Sequence, residues 1–223
     1  MCYKEKDLLE AIKVSCNEYK SKGPRSNKKV IPLHDYIANV LKCIWGCDYG
    51  YNYIGSKGTK EKTVDGKYYP KNIDVTISNN SVPIFCLGIK FITRNYKQNA
   101  NNYFENMMGE TANIQANSIP YVQFIILRDE IPHYKKDGTI DRYETLSSKD
   151  TEKYIRLMFD INHAHRPQEL CIFIVNVNEE TCEIKKCDYS KFGSRMEKLL
   201  NETLSPDVFF DKVKSYKNYY ELI

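Results

Sequence analysis

Asp74 and Lys90 stand on two consecutive stretches, YYPKNIDVTI and PIFCLGIKFI, separated by the short turn SNNSV. A carboxylate can hold a divalent cation. An ammonium group beside it can orient a water molecule and neutralise negative charge developing on a phosphate. Carboxylate on one strand and lysine on the next is therefore an economical layout for hydrolysing a phosphodiester. The plainer reading of the same two residues is a cross-strand ion pair.

The alternation of residue types sets their orientation. Ile73, Val75 and Ile77 alternate with Asn72, Asp74 and Thr76, so Asp74 points away from the apolar face. In the second stretch Leu87, Ile89 and Phe91 share one face, and Gly88, Lys90 and Ile92 share the other. The two strands are expected over roughly residues 68–77 and 82–93. Two helices precede them, one at 5–20 and one after Pro32 that stops at Gly46, with a Gly-, Tyr- and Lys-rich loop or short hairpin at 46–67. A polar loop at 94–118 runs into a helix, and Pro120 opens the strand YVQFIIL. Strand, helix, strand is a crossover unit, so these two strands should be parallel. A charged loop, a helix at about 148–163, the strand ELCIFIVNV, a possible edge strand at 180–188 and a helical tail broken at Ser205-Pro206 complete the order.

Here the chain resembles the PD-(D/E)xK nuclease superfamily, in particular type II restriction endonucleases, with an EcoRI-like texture in GETANIQANSIPYVQFIIL. The resemblance rests on NID with Asp74, on LGIKF with Lys90 and on the element order. It covers roughly residues 68–127 well and the remainder by element order alone. It implies an α/β restriction-endonuclease-like core, a central mixed sheet of four to five strands flanked by helices. It also implies Mg²⁺ as cofactor, double-stranded DNA as substrate and a homodimer that cuts both strands. Asp74 matches the family's metal-binding aspartate and Lys90 its lysine. Ile89 matches the residue between acid and lysine, whose carbonyl often joins the metal shell.

Gly88 departs from the pattern, because the family usually has Glu or Asp there. A second acid can have moved to the following helix, where Glu110 flanks the apolar face and Glu105 lies opposite it. Glu10 on the first helix is a further candidate. The other reading of Gly88 is a catalytically degenerate DNA-binding protein on the same fold.

A second signal follows the lysine strand. RNYKQNANN contains Arg94, Asn95, Lys97, Gln98, Asn99, Asn101 and Asn102. Asn and Gln can bond adenine bidentately and Arg can bond guanine, so this segment is expected to touch DNA. The plainer alternative is a solvated, asparagine-rich cap. The loops KSKGPRSNKK and GSKGTKEK suit phosphate contacts that read no sequence.

Composition bounds the rest. The chain has 223 residues, net charge +4, 42% hydrophobic and 28% charged residues. This fits one nuclease domain, with N-terminal helices and loop at 1–67, an α/β core at 68–177 and a helical region at 178–223. No stretch approaches the roughly 18 apolar residues of a membrane span, and the N-terminus lacks an apolar leader. A cytoplasmic location is expected. The eight cysteines are read as reduced thiols packed as small core residues, in preference to a zinc site. The aromatic-rich tail VFFDKVKSYKNYYELI is the candidate dimer contact.

Overall fold

The structure is a computed structural model and describes residues 2–23, 26–135, 137, 139–161 and 163–222. Helices α1 (Glu5–Lys22) and α2 (Ile31–Trp45) come first. α1 stops at Gly23 and α2 at Gly46, both with positive φ that a glycine adopts without strain. Pro32 sits in the first turn of α2, where its missing N–H costs nothing.

The strands are β1 (Gly50–Tyr53), β2 (Lys62–Asp65), β3 (Pro70–Ile73), β4 (Val75–Asn79), β5 (Val82–Ile92), β6 (Tyr121–Arg128), β7 (Glu130–Tyr134), β8 (Ile140–Thr145), β9 (Leu170–Val177) and β10 (Ile184–Lys186). The remaining helices are α3 (Tyr96–Gln115), α4 (Ser148–Phe159), α5 (Ser194–Glu202) and α6 (Pro206–Tyr220). Six strands form the main sheet in the order β1-β4-β5-β6-β9-β10. The expected four to five strands are thus corrected to six, because short edge strands close both sides. The crossover expectation holds: β5 pairs parallel with β6, and β6 with β9. The other pairs in this sheet are antiparallel.

β6 is buried at every position and β9 at its first six, as befits central strands covered on both faces. On one face Leu8, Ile12, Ile37, Leu41, Phe209 and Val213 from α1, α2 and α6 pack on Val75, Leu87 and Phe124. On the other, Met107, Tyr154 and Leu200 from α3, α4 and α5 pack on Ile92, Ile125 and Ile172. α4 begins with a reciprocal cap in which the Ser147 N–H donates to Asp150 Oδ2 at 2.8 Å.

Several local expectations are corrected. The strand expected over 68–77 is broken at Asp74: β3 pairs with β2 in a separate ribbon, and β4 joins the main sheet. The break also changes the phase. Ile73 packs with Cys86, Ile114 and Tyr121, whereas Val75 and Ile77 lie in the cluster on the opposite face. The polar loop after Lys90 is nearly absent, since α3 starts at Tyr96. The charged loop after β6 is the hairpin β7–β8.

Cys2 and Cys43 form a disulfide that ties the N-terminal segment to α2, against the expectation of eight thiols. The tail is also corrected. Phe209, Phe210 and Val213 lie in this chain's own core, and Tyr216 and Tyr220 pack against it, so the aromatic content does not require a partner. Truncating Phe209 alone should cost about 3–5 kcal/mol. Among the described residues no helix is long and apolar enough to cross a membrane.

Candidate active site

The break at Asp74 positions its side chain. β5 is an eleven-residue strand, and β4 pairs with it only as far as Val75↔Leu87. Past that point the Ile89 N–H has no partner on β4. It donates instead to Asp74 Oδ2 at 2.7 Å. One carboxylate oxygen is thereby fixed against the backbone of the strand that carries Lys90.

Two hollows meet at this point. The smaller, about 230 Å³, is bounded by β5, β6 and α3 and includes Gly88, Glu110, Tyr121 and Gln123. The larger, about 490 Å³, opens toward α1, α2 and the loop before β2 and includes Tyr19, Lys29, Glu61 and Arg94. Asp74, Ile89, Lys90 and Tyr103 line both.

Burial raises the Asp74 carboxyl to about 7. The Ile89 N–H opposes this, the negative charges of Glu61 and Glu110 add to it, and Lys90 opposes it weakly. Lys90 is exposed, and its ammonium lies 5.6 Å from the centre of the Tyr103 ring. Since the Asp74 oxygen is engaged by the backbone, the plain cross-strand ion pair does not account for this aspartate.

The smaller hollow explains Gly88. In register, Gly88 stands opposite Gln123 on β6. A Cβ at position 88 would lie 2.7 Å from the Tyr121 hydroxyl and 2.8 Å from the Gln123 amide. The space beside Gly88 is therefore filled from the neighbouring strand. Glu110 does turn into this hollow. Its Oε1 pairs with Lys71 at 2.5 Å, and the Tyr121 hydroxyl donates to its Oε2 at 3.2 Å. The ion pair with Glu110 raises the Lys71 pKa. Glu105 is exposed on α3. Glu10 is exposed, contacts Lys13, and lines a separate hollow with Glu183 and Ile184.

The asparagine-rich segment divides. Arg94 lines the larger hollow with its guanidinium 6.0 Å from the Tyr19 ring centre. Asn95 adopts a left-handed conformation at the start of α3, and its carbonyl accepts from Asn99 at 3.0 Å. Lys97 and Asn101 turn toward α4, within 3.9 Å of Asp150 and 3.2 Å of Lys153 respectively. Gln98 and Asn102 are exposed. In the loop KSKGPRSNKK, Pro24 and Arg25 lie outside the described residues.

Four residues at the centre escaped sequence reasoning: Glu61, Lys71, Tyr121 and Gln123. Glu61 comes from a loop without periodicity, and burial raises its pKa. Gln123 sits in the all-buried strand β6, where a glutamine among apolar residues was the one available signal.

The acids that line the smaller hollow are Asp74 and Glu110, with Ile89 between them. Such a set suits a hard cation of the Mg²⁺ or Ca²⁺ kind. Among the described residues, no group of three or more His, Cys, Asp and Glu side chains is close enough to hold an ion by itself. A cation here would need the backbone carbonyl or water to complete its shell.

No protein-family model matches the chain, and no curated protein matches it. Among solved structures the chain is similar to the small subunit of the heterodimeric restriction endonuclease R.BspD6I. The identity is 9% and the TM-score 0.36, with 97% of this chain and 98% of that chain covered.

Proposed function

We propose that the protein is a Mg²⁺-dependent endonuclease that cuts double-stranded DNA at specific sites, in the manner of a type II restriction enzyme, and works as a homodimer. The observation that carries this reading is the clamp of Asp74 on the Ile89 N–H, beside Lys90 and at the meeting of two hollows. Asp74, the Ile89 carbonyl and Glu110 would hold the metal. When bound, Mg²⁺ supplies positive charge that acidifies water and stabilises the phosphate transition state. Asp74 must be ionised to serve. Lys90 orients the attacking water and balances charge on the phosphate oxygens. The Tyr103 ring holds the Lys90 ammonium in the cleft, and the Ile89 N–H keeps the Asp74 carboxylate from rotating away. Two copies related by a two-fold axis would let two such centres address the two strands of a palindrome.

A second reading is favoured by one observation, the filling of the Gly88 space by Gln123 and Tyr121: a relative that binds DNA without cutting it. Incubation with phage DNA and Mg²⁺ separates the two. Discrete fragments that vanish in Lys90→Ala support the nuclease. DNA retention without fragments supports the second reading, and neither result removes both.

A further inference from the structure

Between its end residues Tyr121 and Arg128, the central strand β6 carries one polar side chain, Gln123. That side chain is buried, with the residue 4% exposed. Alternation places it on the same face as Tyr121 and Ile125, and all three line the smaller hollow. The carboxamide lies over Gly88. Its oxygen and its nitrogen are each 2.8 Å from the point where a Cβ of residue 88 would stand. Among the described residues no hydrogen bond engages this carboxamide.

Buried polar groups are nearly always paired, because an amide stripped of water and given no partner is costly. Leucine or methionine would fill the space beside Gly88 without that cost. Filling the space therefore explains the size of the side chain and leaves its chemistry unexplained.

The lining of the hollow shows what the amide can bind. Asp74 and Glu110 share it with Gln123. The Tyr121 hydroxyl, next to Gln123 on the same face of β6, donates to Glu110 Oε2 and holds that acid in place. Two acids leave the shell of a cation short, and among the described residues no third acid, His or Cys joins them. An amide oxygen is a donor that hard divalent cations accept alongside carboxylates. Being neutral, it adds a donor without adding to the negative charge that Glu61 and Glu110 already place on Asp74.

We infer that Gln123 supplies a neutral oxygen ligand to a divalent cation shared with Asp74 and Glu110. This role presupposes the cation of the proposed function and goes beyond it in giving Gln123 a part in holding it.

The test is cation binding by the whole protein without DNA, at about pH 8, where Asp74 is ionised. Mn²⁺ serves as the probe, since it takes the same oxygen ligands as Mg²⁺ and its free-ion paramagnetic resonance signal falls on binding. The parent is compared with Q123M, Q123E and D74N, each with its thermal midpoint recorded in EDTA. Q123M keeps the volume and removes the oxygen. It should bind Mn²⁺ roughly 10–100-fold more weakly, with a midpoint in EDTA no lower than the parent's. Q123E keeps an oxygen and adds a charge, and should bind roughly 3–10-fold more tightly. Q123M binding like the parent, or Q123E binding no more tightly than the parent, overturns the assignment. If D74N is then still impaired, the metal centre stands without Gln123. Should Q123M fail to fold, Q123E alone decides by the same criterion. A parent that binds no Mn²⁺ removes both Gln123's role and the metal centre of the proposed function. Binding that depends on Gln123, in a protein that leaves phage DNA intact, keeps the ligand and removes the nuclease.

Discussion

The two sides of Asp74 use charge differently. Toward α3, Glu110 is held within the fold by Lys71 and Tyr121, and Gln123 and Tyr121 fill the space beside Gly88. Toward α1 and the loop before β2, charged groups line a hollow: Lys90 beside the Tyr103 ring, Arg94 beside the Tyr19 ring, and Glu61 partly buried. A closed network rigidifies, whereas charges that converge on open space are poised for something not in the fold. Under the proposed function, the smaller hollow positions Asp74 and supplies Glu110, and the larger one would admit substrate.

The largest expected contrast is in rate. Asp74→Asn keeps an oxygen for the Ile89 N–H but loses the charge, and should reduce DNA cleavage by roughly 10²–10³-fold. Lys71→Met, on the closed side, should change it by less than about tenfold. Equal losses would erase the distinction between the two sides. The measurement is single-turnover cleavage of supercoiled plasmid.

Acidity offers a second test. Asp74 in the fold holds its proton to about pH 7, against 3.8 as the ordinary value. Between those limits the folded state binds the extra proton, so this group makes stability fall as pH rises. Its full contribution is present below about pH 4 and is gone above about pH 7. Asp74→Asn should flatten that slope and be the more stable protein at about pH 8 in urea denaturation. Mg²⁺ should raise the thermal midpoint of the parent at that pH and leave Asp74→Asn unmoved. A parent protein with no slope contradicts the burial of this carboxyl.

The Gly88 space yields a third. Gly88→Ala forces its Cβ onto Tyr121 and Gln123 and should cost about 1–3 kcal/mol. Adding Gln123→Ala should recover part of that loss, and a double-mutant cycle measures how much. Strict additivity would show that Gln123 does not fill the vacancy. The smallest effect is on the stability of the closed side: Lys71→Met should destabilise by about 1 kcal/mol, since its pair with Glu110 is only partly buried.

Much of the frame was legible in the chain. The β4–β5 hairpin, the parallel crossover through α3, and the tail broken at Pro206 all follow from alternation, length and proline. The edge strand expected at 180–188 is β10, whereas β1, only four residues long, has too little pattern to be told from the surrounding loop or hairpin. α3 begins in an asparagine-rich stretch of poor helix propensity, and Tyr96, fully buried, anchors it there through tertiary packing.

The site was legible only along single strands. Asp74, Lys90 and Glu110 could be chosen from phase and spacing. Glu61 and Lys71 could not, since they reach Asp74 through a loop and through the break in the strand itself. The alternation of Ile73, Val75 and Ile77 concealed that break. A continuous strand and one that switches sheets at Asp74 share the same local pattern, and the long-range pairings of β2 with β3 and β1 with β4 decide between them.

Under the proposed function, Asp74 and Lys90 cut DNA where the two hollows meet. Gel analysis of phage DNA incubated with Mg²⁺ and either the parent protein or Lys90→Ala, matched for folding and for DNA binding, tests it most directly. The expected result is a set of discrete fragments from the parent and intact DNA from the variant. Identical patterns from the two proteins, or intact DNA from both, would contradict it.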